Sequence, residues 1–439
     1  MLAPTQRPLG SRLAINQGDG ERPRVCVACS DARPPAYEAA AGLAAAGLLD
    51  SLVTAYYHDS EGRLDTLLRH LPRGAAWVRR LARRNHPGIP ATAVAARASV
   101  DLCLAVENRL RSGRLRRFVA RTRTRRFDRA VAGHLNRTRP DVVFLFSDVG
   151  SVATLDRCRG LGIPSILSVV HGDIDEERAL IDRLRVESPA FFPLYLGDGQ
   201  LDERELDWLH DRRRREAHLA DRLLVPSDHI ARRLRERGIA AERIRVVPYA
   251  ADPERFRPRP RQPESGSCVF VFAGGITQRK GISYLLEAWS VARREGWRLR
   301  LVGELPRRLG PLAGWLKQPG VELVGRVGHA QMPDLLADAD VFVFPSLFEG
   351  SAVVTYEALA CGLPLIVTSE AGSVARDGVE GLVVPAANVE ALAVALRRLG
   401  DDPALRQKLA RAARRRAESF TWSRYHSEVV ASIMSLVGR

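Results

Sequence analysis

Two glutamates, Glu349 and Glu357, lie eight positions apart in the sequence FEGSAVVTYEALACGLPLIVT. Glu349 falls on a Glu-Gly loop after an apolar strand at 341–345, and Glu357 lies about two turns into an apolar helix. A second apolar strand at 365–368 completes a strand–loop–helix–strand unit, which is typical of a parallel sheet. Ligands of such sheets bind beyond the carboxyl ends of the strands, where a helix starting near Ser351 offers free N–H groups to an anion. Because carboxylates beside an anion site are good acceptors for sugar hydroxyls, these features predict a nucleotide-sugar site.

A glycine loop supplies a second candidate site. The segment FVFAGGITQRKG runs from an apolar strand through Gly274 and Gly275 to Lys280, and a helix with apolar residues at helical spacing follows. Glycines let the backbone approach a phosphate closely, and lysine can meet a diphosphate as a mobile point charge. Lysine occurs three times in this arginine-rich chain, so a lysine directly after such a loop is informative. The loop therefore predicts a position that binds a donor diphosphate.

The glutamate motif resembles that of a known family. The E-x7-E spacing within FEGSAVVTYEALACGLP is similar to the motif of the retaining family-4 glycosyltransferases of the GT-B fold. In that family the glycine loop reads G-R-L-x3-K-G, and its Arg and Lys hold the donor diphosphate. Here Gly275 replaces the Arg, and whether Arg279 substitutes for it stays open. Residues 220–256 are similar to the family as well, except that Tyr249-Ala250 replaces the usual Asn-Gly.

The resemblance implies an α/β fold of two Rossmann-like, doubly wound domains that face a cleft. It implies that Glu349 binds the hydroxyls of the donor sugar and that Glu357 binds the ribose, while Lys280 and a helix N-terminus stabilise the diphosphate. The predicted catalytic residues are Lys280, Glu349 and His171. His171 is included because the family often has a histidine at that strand end, although a lone histidine is as often structural. The predicted donor-binding residues are Gly274, Gly275, Arg279, Arg326 (near the base), Gly350, Ser351, Ala352, Val353 and Glu357.

Alternating helix and strand patterns divide the chain into two α/β domains. Residues 1–24 have no apolar core of a signal peptide and are predicted to be a disordered leader. We predict an acceptor-side domain at 25–256, a linker rich in Pro, Ser and Gly at 257–267, and a nucleotide-sugar domain at 268–419. The last helix, at about 420–439, is expected to pack back on the first domain, as the topology of the resembled fold implies.

The formal net charge of +16 is concentrated between residues 63 and 139, above all in RLRSGRLRRFVARTRTRRFDR at 109–129. Basic helices there either lie on anionic lipid or form a solvated basic face. Nucleic-acid binding is not expected, because the run contains two aromatics, Phe118 and Phe127, and no nucleic-acid-binding motif. The six cysteines show no disulfide framework, and no apolar run is long enough to span a membrane. We therefore expect a cytoplasmic protein, peripheral at the inner face of the membrane if the basic region binds lipid.

No cofactor and no metal are expected. Asp338-Ala-Asp340 resembles the D-x-D metal motif of other glycosyltransferases, but it lies at a helix-to-strand junction where solvation explains both aspartates. The mechanism implied by the family needs no enzyme nucleophile, because the leaving phosphate accepts the proton of the acceptor. The expected partners are a nucleotide-sugar donor and a glycan, lipid-linked or small-molecule acceptor that the sequence does not identify.

Two other functions stay open. One is a different GT-B reaction, such as nucleotide-sugar epimerisation, which needs carboxylates and a histidine near the sugar but no acceptor. The other is a non-catalytic membrane-surface or nucleic-acid binder driven by charge. That second alternative predicts strongly salt-dependent binding without nucleotide release, and it leaves Glu349, Glu357 and Lys280 without a role.

Overall fold

Short apolar strands form two parallel sheets in the computed structural model of this chain. The structure describes residues 22–31, 33–58, 84–97, 99–107, 110, 113–147, 151–196, 203–259 and 266–438. The predicted leader lies outside the described residues as far as residue 21. Residues 59–83, which include the start of the basic region, and residues 260–265 of the predicted linker lie outside them as well.

The first sheet has seven strands in the order β3-β2-β1-β4-β5-β6-β7, and all its neighbours are parallel. Its strands are β1 (Val25–Ala28), β2 (Leu49–Thr54), β3 (Val94–Ala96), β4 (Val142–Phe146), β5 (Ser165–Ser168), β6 (Arg222–Val225) and β7 (Ile244–Val246). The helices between them are α1 (Pro34–Ala45), α2 (Ser99–Glu107), α3 (Gly113–Thr138), α4 (Val152–Leu161), α5 (Ile174–Glu187), α6 (Glu203–Leu219) and α7 (Asp228–Glu236).

The second sheet has six parallel strands in the order β10-β9-β8-β11-β12-β13. Its strands are β8 (Cys268–Ala273), β9 (Trp297–Val302), β10 (Val321–Gly325), β11 (Val341–Phe344), β12 (Leu365–Val367) and β13 (Gly381–Val383). Its helices are α8 (Ile282–Ala292), α9 (Leu312–Trp315), α10 (Met332–Ala337), α11 (Val353–Ala360), α12 (Val389–Asp401) and α13 (Pro403–Ala417), and the chain ends with α14 (Trp422–Leu436). The predicted doubly wound α/β architecture is confirmed.

The central strands of both sheets form the cores of the two domains. Every residue of β1, β4, β8 and β11 is buried, as expected for parallel strands covered by helices on both faces. In the second sheet β8 pairs with β11, with Val341 opposite Phe270, so the carboxyl ends of these two strands are neighbours. The loops that follow them, which carry the predicted lysine and the first predicted glutamate, therefore start side by side.

The helix α1 ends at Ala45, because Gly47 adopts a φ of +70° and turns the chain into β2. The predicted position of Glu357 within its helix was wrong. The helix α11 begins at Val353, so Glu357 is its fifth residue and lies little more than one turn from the start, not two. This shorter distance brings the Glu357 side chain nearer to the helix N-terminus.

The helix α5 was not predicted. Its sequence, IDEERALIDRLRVE, is so charged that its apolar stripe is easily missed, although Ile174, Leu180, Ile181 and Leu184 are buried. Asp173 caps it: Oδ1 accepts hydrogen bonds from the backbone N–H groups of Asp175 and Glu176. The same carboxylate pairs through Oδ2 with Arg237 at 2.9 Å, so Asp173 is a buried helix cap.

The last helix, α14, lies against α1 of the first domain. Tyr425 Oη donates to the carbonyl of Pro35 at 3.0 Å, and His426 Nε2 lies 2.9 Å from Glu38 Oε2. Arg222 Nη1, at the start of β6, donates to the carbonyl of Ser432 at 2.6 Å. The C-terminal segment thus crosses from the second sheet to the first and is held there by polar contacts, of which the Tyr425 hydrogen bond is buried.

Candidate active site

The loop after β8 is shaped by one glycine. The chain leaves the strand through Gly274 and Gly275, makes one 3-10 turn at Gln278–Lys280, and enters α8 after Gly281. Gly281 has a φ of +73°, and a Cβ atom there would lie 2.0 Å from the carbonyl oxygen of Pro345. Glycine is therefore required at this position for conformation and for space. The close approach holds the turn that carries Lys280 against the end of β11.

The loop after β11 crosses to the first domain. A Cβ atom on Gly350 would lie 2.2 Å from the carbonyl oxygen of Val170, and one on Gly172 would lie 2.4 Å from the ring of Phe348. Ser227 Oγ, from the first domain, also donates to the carbonyl of Gly350 at 3.0 Å. The loop that carries Glu349 is thus packed directly against the loop after β5, across the cleft between the two domains.

Glu349 lies at the centre of a cationic cluster. Lys280 Nζ forms an ion pair with Glu349 Oε1, Arg279 Nη1 lies 3.1 Å from the same oxygen, and Ser346 Oγ donates to it at 3.2 Å. Burial by itself raises the pKa of Glu349, but the charges of Lys280 and Arg279 outweigh burial and lower it below its usual value. Burial lowers the pKa of Lys280, with Glu349 acting against that change. Two cations and one carboxylate leave this partly exposed cluster with a net charge of +1.

A cavity of about 430 Å³ opens beside this cluster at the carboxyl end of the second sheet. Its lining contains nine of the twelve predicted site residues: Gly274, Gly275, Lys280, Arg326, Glu349, Ser351, Ala352, Val353 and Glu357. The other three, Arg279, Gly350 and His171, do not line it. Sequence positions spread over more than eighty residues therefore converge on one cavity large enough for a small ligand.

The N-terminus of α11 faces this cavity through Ala352 and Val353. Ala352 is the N-cap residue, and no side chain caps the helix. The first N–H groups of a helix have no partner within it and carry the positive end of the helix dipole. This part of the lining can therefore bind an anion, as was predicted for the segment Gly350 to Val353.

The three residues outside the cavity lining have other contacts. Arg279 Nη1 donates to the carbonyl of Phe348 at 3.0 Å as well as facing Glu349, so its guanidinium braces the glutamate loop. His171 Nδ1 lies 2.7 Å from the carbonyl of Gly172, and the backbone at His171 abuts Gly350. His171 thus sits next to the glutamate loop across the cleft, on the first-domain side.

Glu357 has a neighbour that sequence analysis missed. His329 Nε2 lies 2.8 Å from Glu357 Oε1, and the Glu357 side chain is 9% exposed. His329 follows β10, and its approach to Glu357 of α11 depends on the strand order of the sheet, which cannot be read from local sequence. Arg326, in the same loop, is 71% exposed and pairs with Glu304 at 3.3 Å at the rim of the cavity.

In the part of the chain that the structure describes, no group of three or more His, Cys, Asp or Glu side chains is arranged to hold a metal ion. Asp340, of the D-x-D sequence, accepts a hydrogen bond from the backbone N–H of Val269 at 2.7 Å and so fixes the start of β8.

Among the described residues, no helix is both long and apolar enough to cross a bilayer.

The basic run lies mainly on α3, and residues 113–116 at the start of this helix are exposed. A groove of about 280 Å³ on this helix is lined by Arg114, Arg117, Phe118, Arg121, Thr122 and Arg125. Phe118 is 67% exposed, and Arg121 pairs with Glu205 of α6 at 3.1 Å. The described part of the basic region therefore presents an aromatic side chain among arginines.

Two facing parallel sheets, with a polar cavity at the carboxyl end of the second, define the class of GT-B proteins. Comparison with known proteins leads to the same class. Residues 77–255 match the family model described as Glycosyltransferase Family 4, and residues 267–402 match the model described as Glycosyl transferases group 1. The chain belongs to the family-4 glycosyltransferases.

Relatives agree with this assignment, and a solved structure shares the fold. The chain is 33% identical over 235 residues to D-inositol 3-phosphate glycosyltransferase of Nocardiopsis dassonvillei, covering 48% of this chain and 55% of that protein. It is 31% identical over 227 residues to MMP alpha-(1->4)-mannosyltransferase of Mycolicibacterium hassiacum, covering 49% and 54%. Each match thus spans about half the length of the relative. Anabaena HepE, solved with UDP, has the same fold at a TM-score of 0.61 and 15% identity, over 94% of this chain and 100% of that one.

Proposed function

We propose that this chain transfers a hexose-type sugar from a nucleoside diphosphate sugar to an acceptor hydroxyl, with retention of configuration at the anomeric carbon. The observation that carries the proposal is the shared cavity, where a largely buried lysine, two glutamates and an uncapped helix N-terminus meet. The relatives named above are glycosyltransferases, and HepE was solved with UDP, which supports a nucleotide-sugar donor.

The charges fit the demands of this reaction. The bond between the anomeric carbon and the diphosphate breaks with its electron pair going to the phosphate oxygen, so negative charge develops on the leaving group. Lys280 and the N–H groups at the start of α11 line the cavity to which we assign the leaving group, and preorganised charges of this kind stabilise a transition state without reorganisation. The acceptor oxygen bonds to the anomeric carbon from the same face and gives its proton to the leaving phosphate.

The two glutamates are assigned to different parts of the donor. Three donors converge on Oε1 of Glu349, which leaves Oε2 to accept from a sugar hydroxyl. Glu357 lies deeper, in the second turn of α11, and is assigned to the ribose. Arg326 at the rim is assigned to the base, and His171 to the acceptor side of the cleft, since its loop contacts the glutamate loop from the first domain.

We propose that no cofactor takes part and that the reaction is independent of metal, because Lys280 and the helix N-terminus already supply positive charge.

A donor panel tests the proposal. UDP-, GDP- and ADP-sugars are added singly, and the release of nucleoside diphosphate by slow donor hydrolysis is measured together with thermal stability, with EDTA and with Mg²⁺. A true donor stabilises the fold by about 2.7 kcal/mol at a hundredfold excess over its Kd. Absence of stabilisation and of nucleotide release with every donor would overturn the proposal, and conversion of the donor to its epimer would favour epimerisation instead.

We also propose that the exposed face of α3 lies on anionic lipid. Arg114, Arg117, Phe118, Arg121 and Arg125 follow helical spacing and share one face, with an aromatic side chain available for the interface. Each cation near an anionic surface contributes about 1 kcal/mol, and salt screens this attraction.

Cosedimentation with vesicles tests the lipid proposal. Wild type is expected to bind phosphatidylserine-containing vesicles at low salt and to dissociate at high salt, and Arg114→Gln with Arg117→Gln and Phe118→Ser is expected to weaken binding. Arg293→Gln with Arg294→Gln, on the second domain, is the charge-matched control. Equal retention on phosphatidylcholine vesicles, or no loss of retention in the α3 variants, would overturn it.

A further inference from the structure

The contact between His329 and Glu357 joins a buried group to an exposed one. The Glu357 side chain is 9% exposed and that of His329 is 58% exposed, and Nε2 lies 2.8 Å from Oε1. A nitrogen at this distance from a carboxylate oxygen makes a charge-assisted hydrogen bond when it carries hydrogen. The imidazole can donate from Nε2 both as the cation and as the neutral tautomer protonated there.

His329 is itself held in place by the segment that leads from the first domain into the linker. Its ring lies 5.6 Å from the ring of Phe256, and its carbonyl accepts a hydrogen bond from Arg255 Nη2 at 2.7 Å. Phe256 is 2% exposed, so the histidine packs on a fixed surface although its own side chain reaches solvent. These two contacts fix the loop at the backbone and at the ring.

The same segment is tied to the other end of the helix that carries Glu357. Arg414 Nη1 donates to the carbonyls of Pro253 at 3.1 Å and Phe256 at 3.0 Å, and to that of Ala360 at 2.8 Å. Ala360 is the last residue of α11. Two separate contacts, one through Arg414 and one through His329, therefore position α11 relative to this segment.

We propose that His329 is a positioning residue for the donor nucleotide: it holds Oε1 of Glu357, so that Oε2 is aimed at the ribose hydroxyls. The inference rests on the proposed function, in which Glu357 meets the ribose. It mirrors the arrangement at Glu349, where protein donors also converge on Oε1. A carboxylate fixed by one oxygen loses less side-chain freedom when the other binds a ligand, and preorganisation of this kind strengthens binding.

The test compares nucleotides with and without the ribose hydroxyls. Isothermal titration first identifies which of UDP, GDP and ADP binds wild type most tightly, and that nucleotide and its 2′,3′-dideoxy form are then titrated into His329→Ala. The variant is expected to bind the ribonucleotide about tenfold more weakly, and the dideoxy form within about twofold of wild type. His329→Gln, whose amide also donates, is expected to recover most of the loss. His218→Ala, an exposed histidine on α6, is the matched control and should bind both ligands as wild type does.

A cycle with Glu357→Gln adds a second readout, because the two substitutions should be strongly non-additive if one residue acts through the other. Unchanged ribonucleotide affinity in His329→Ala would overturn the inference, and so would an equal loss for both nucleotides, since that indicates a general structural role. If wild type binds none of the three diphosphates, the proposed function itself fails and the inference fails with it. These outcomes are distinguishable from one another.

Discussion

Lys280 and Glu349 form a largely buried ion pair that joins the loops after two neighbouring strands, β8 and β11. The Lys280 ammonium also lies 4.9 Å from the centre of the Phe344 ring, so a cation–π contact holds it from a second side. The group assigned to the diphosphate and the group assigned to the sugar are therefore fixed by each other. A donor that binds here meets a cluster whose charges are already in place.

Replacement of Lys280 by methionine tests the role of this pair in binding. Lys280→Met removes the charge assigned to the diphosphate but keeps much of the side-chain volume, and nucleoside diphosphate affinity is expected to fall at least about tenfold. Isothermal titration measures it. Lys317→Met is a matched control, because Lys317 is an exposed lysine of the same domain outside the cavity lining. Diphosphate affinity within twofold of wild type would contradict the assignment.

The same substitution is expected to lower the free energy of unfolding. Glu349 keeps Arg279 and Ser346 as partners, so the loss should be about 1–3 kcal/mol, below the 3–5 kcal/mol typical of a fully broken buried pair. Adding Glu349→Gln should recover part of the stability and none of the binding, as urea unfolding and titration would show. Recovery of both stability and diphosphate binding would mean that Lys280 affects binding only by stabilising the fold.

Substitutions of Glu349 and Glu357 should affect different properties, donor turnover in one case and diphosphate affinity in the other. Glu357→Gln is expected to weaken the binding of the nucleoside diphosphate itself, because the ribose belongs to both donor and product. Glu349→Gln is expected to leave diphosphate affinity nearly unchanged and to lower the turnover of the donor sugar by about tenfold or more, because its contact is with the transferred group. Titration with the diphosphate and kinetics with the sugar donor distinguish these results. The opposite pattern would reverse the assignments.

Particular residues show how far the sequence alone could lead. The apolar strands, the Gly-Gly loop and the E-x7-E spacing are local patterns, and they predicted the doubly wound fold and nine residues that line one cavity. His329 was missed because its approach to Glu357 depends on the order of non-consecutive strands, which is a tertiary property. The helix α5 was missed because charged residues cover its apolar stripe.

Gly275, the departure from the family pattern, offers a gain-of-function prediction. A Cβ atom at Gly275 would meet one neighbour, Thr277 Cγ2, at 3.6 Å, which is ordinary contact, so the loop has room at this point for a side chain. Gly275→Arg adds a cation to the cavity lining and is expected to tighten nucleoside diphosphate binding about threefold to tenfold.

Titration at low and high salt would measure the gain, which should shrink as salt increases because it is electrostatic. Gly275→Gln is the control for added bulk without charge, and it should not tighten binding. If Gly275→Arg binds no better than Gly275→Gln, Arg279 and Lys280 already provide the positive charge that the diphosphate uses.

Glu38 gives a prediction on pH and stability at the contact between α1 and α14. Burial by itself would raise its pKa, but hydrogen bonds from His426 and His86 lower it from 4.5 to about 2. A carboxyl whose pKa is lowered by folding stabilises the fold at pH values above its unfolded pKa, and this contribution is lost as pH falls towards the folded pKa. The contribution is therefore complete above about pH 4.5 and decreases between pH 4.5 and 2, with an upper size of about 3 kcal/mol.

Glu38→Gln isolates this contribution, because glutamine keeps the shape and does not titrate. Urea unfolding followed by circular dichroism should show wild type more stable than the variant at pH 6, and the difference should diminish as the pH is lowered from 4.5 towards 2. Glu428→Gln is a suitable control, since that residue lies on the same helix, α14, and pairs with Arg424 near the surface. A difference that stays constant over the acid range would show that the Glu38 charge does not hold α14 to α1, leaving Tyr425 and the apolar contacts to do so.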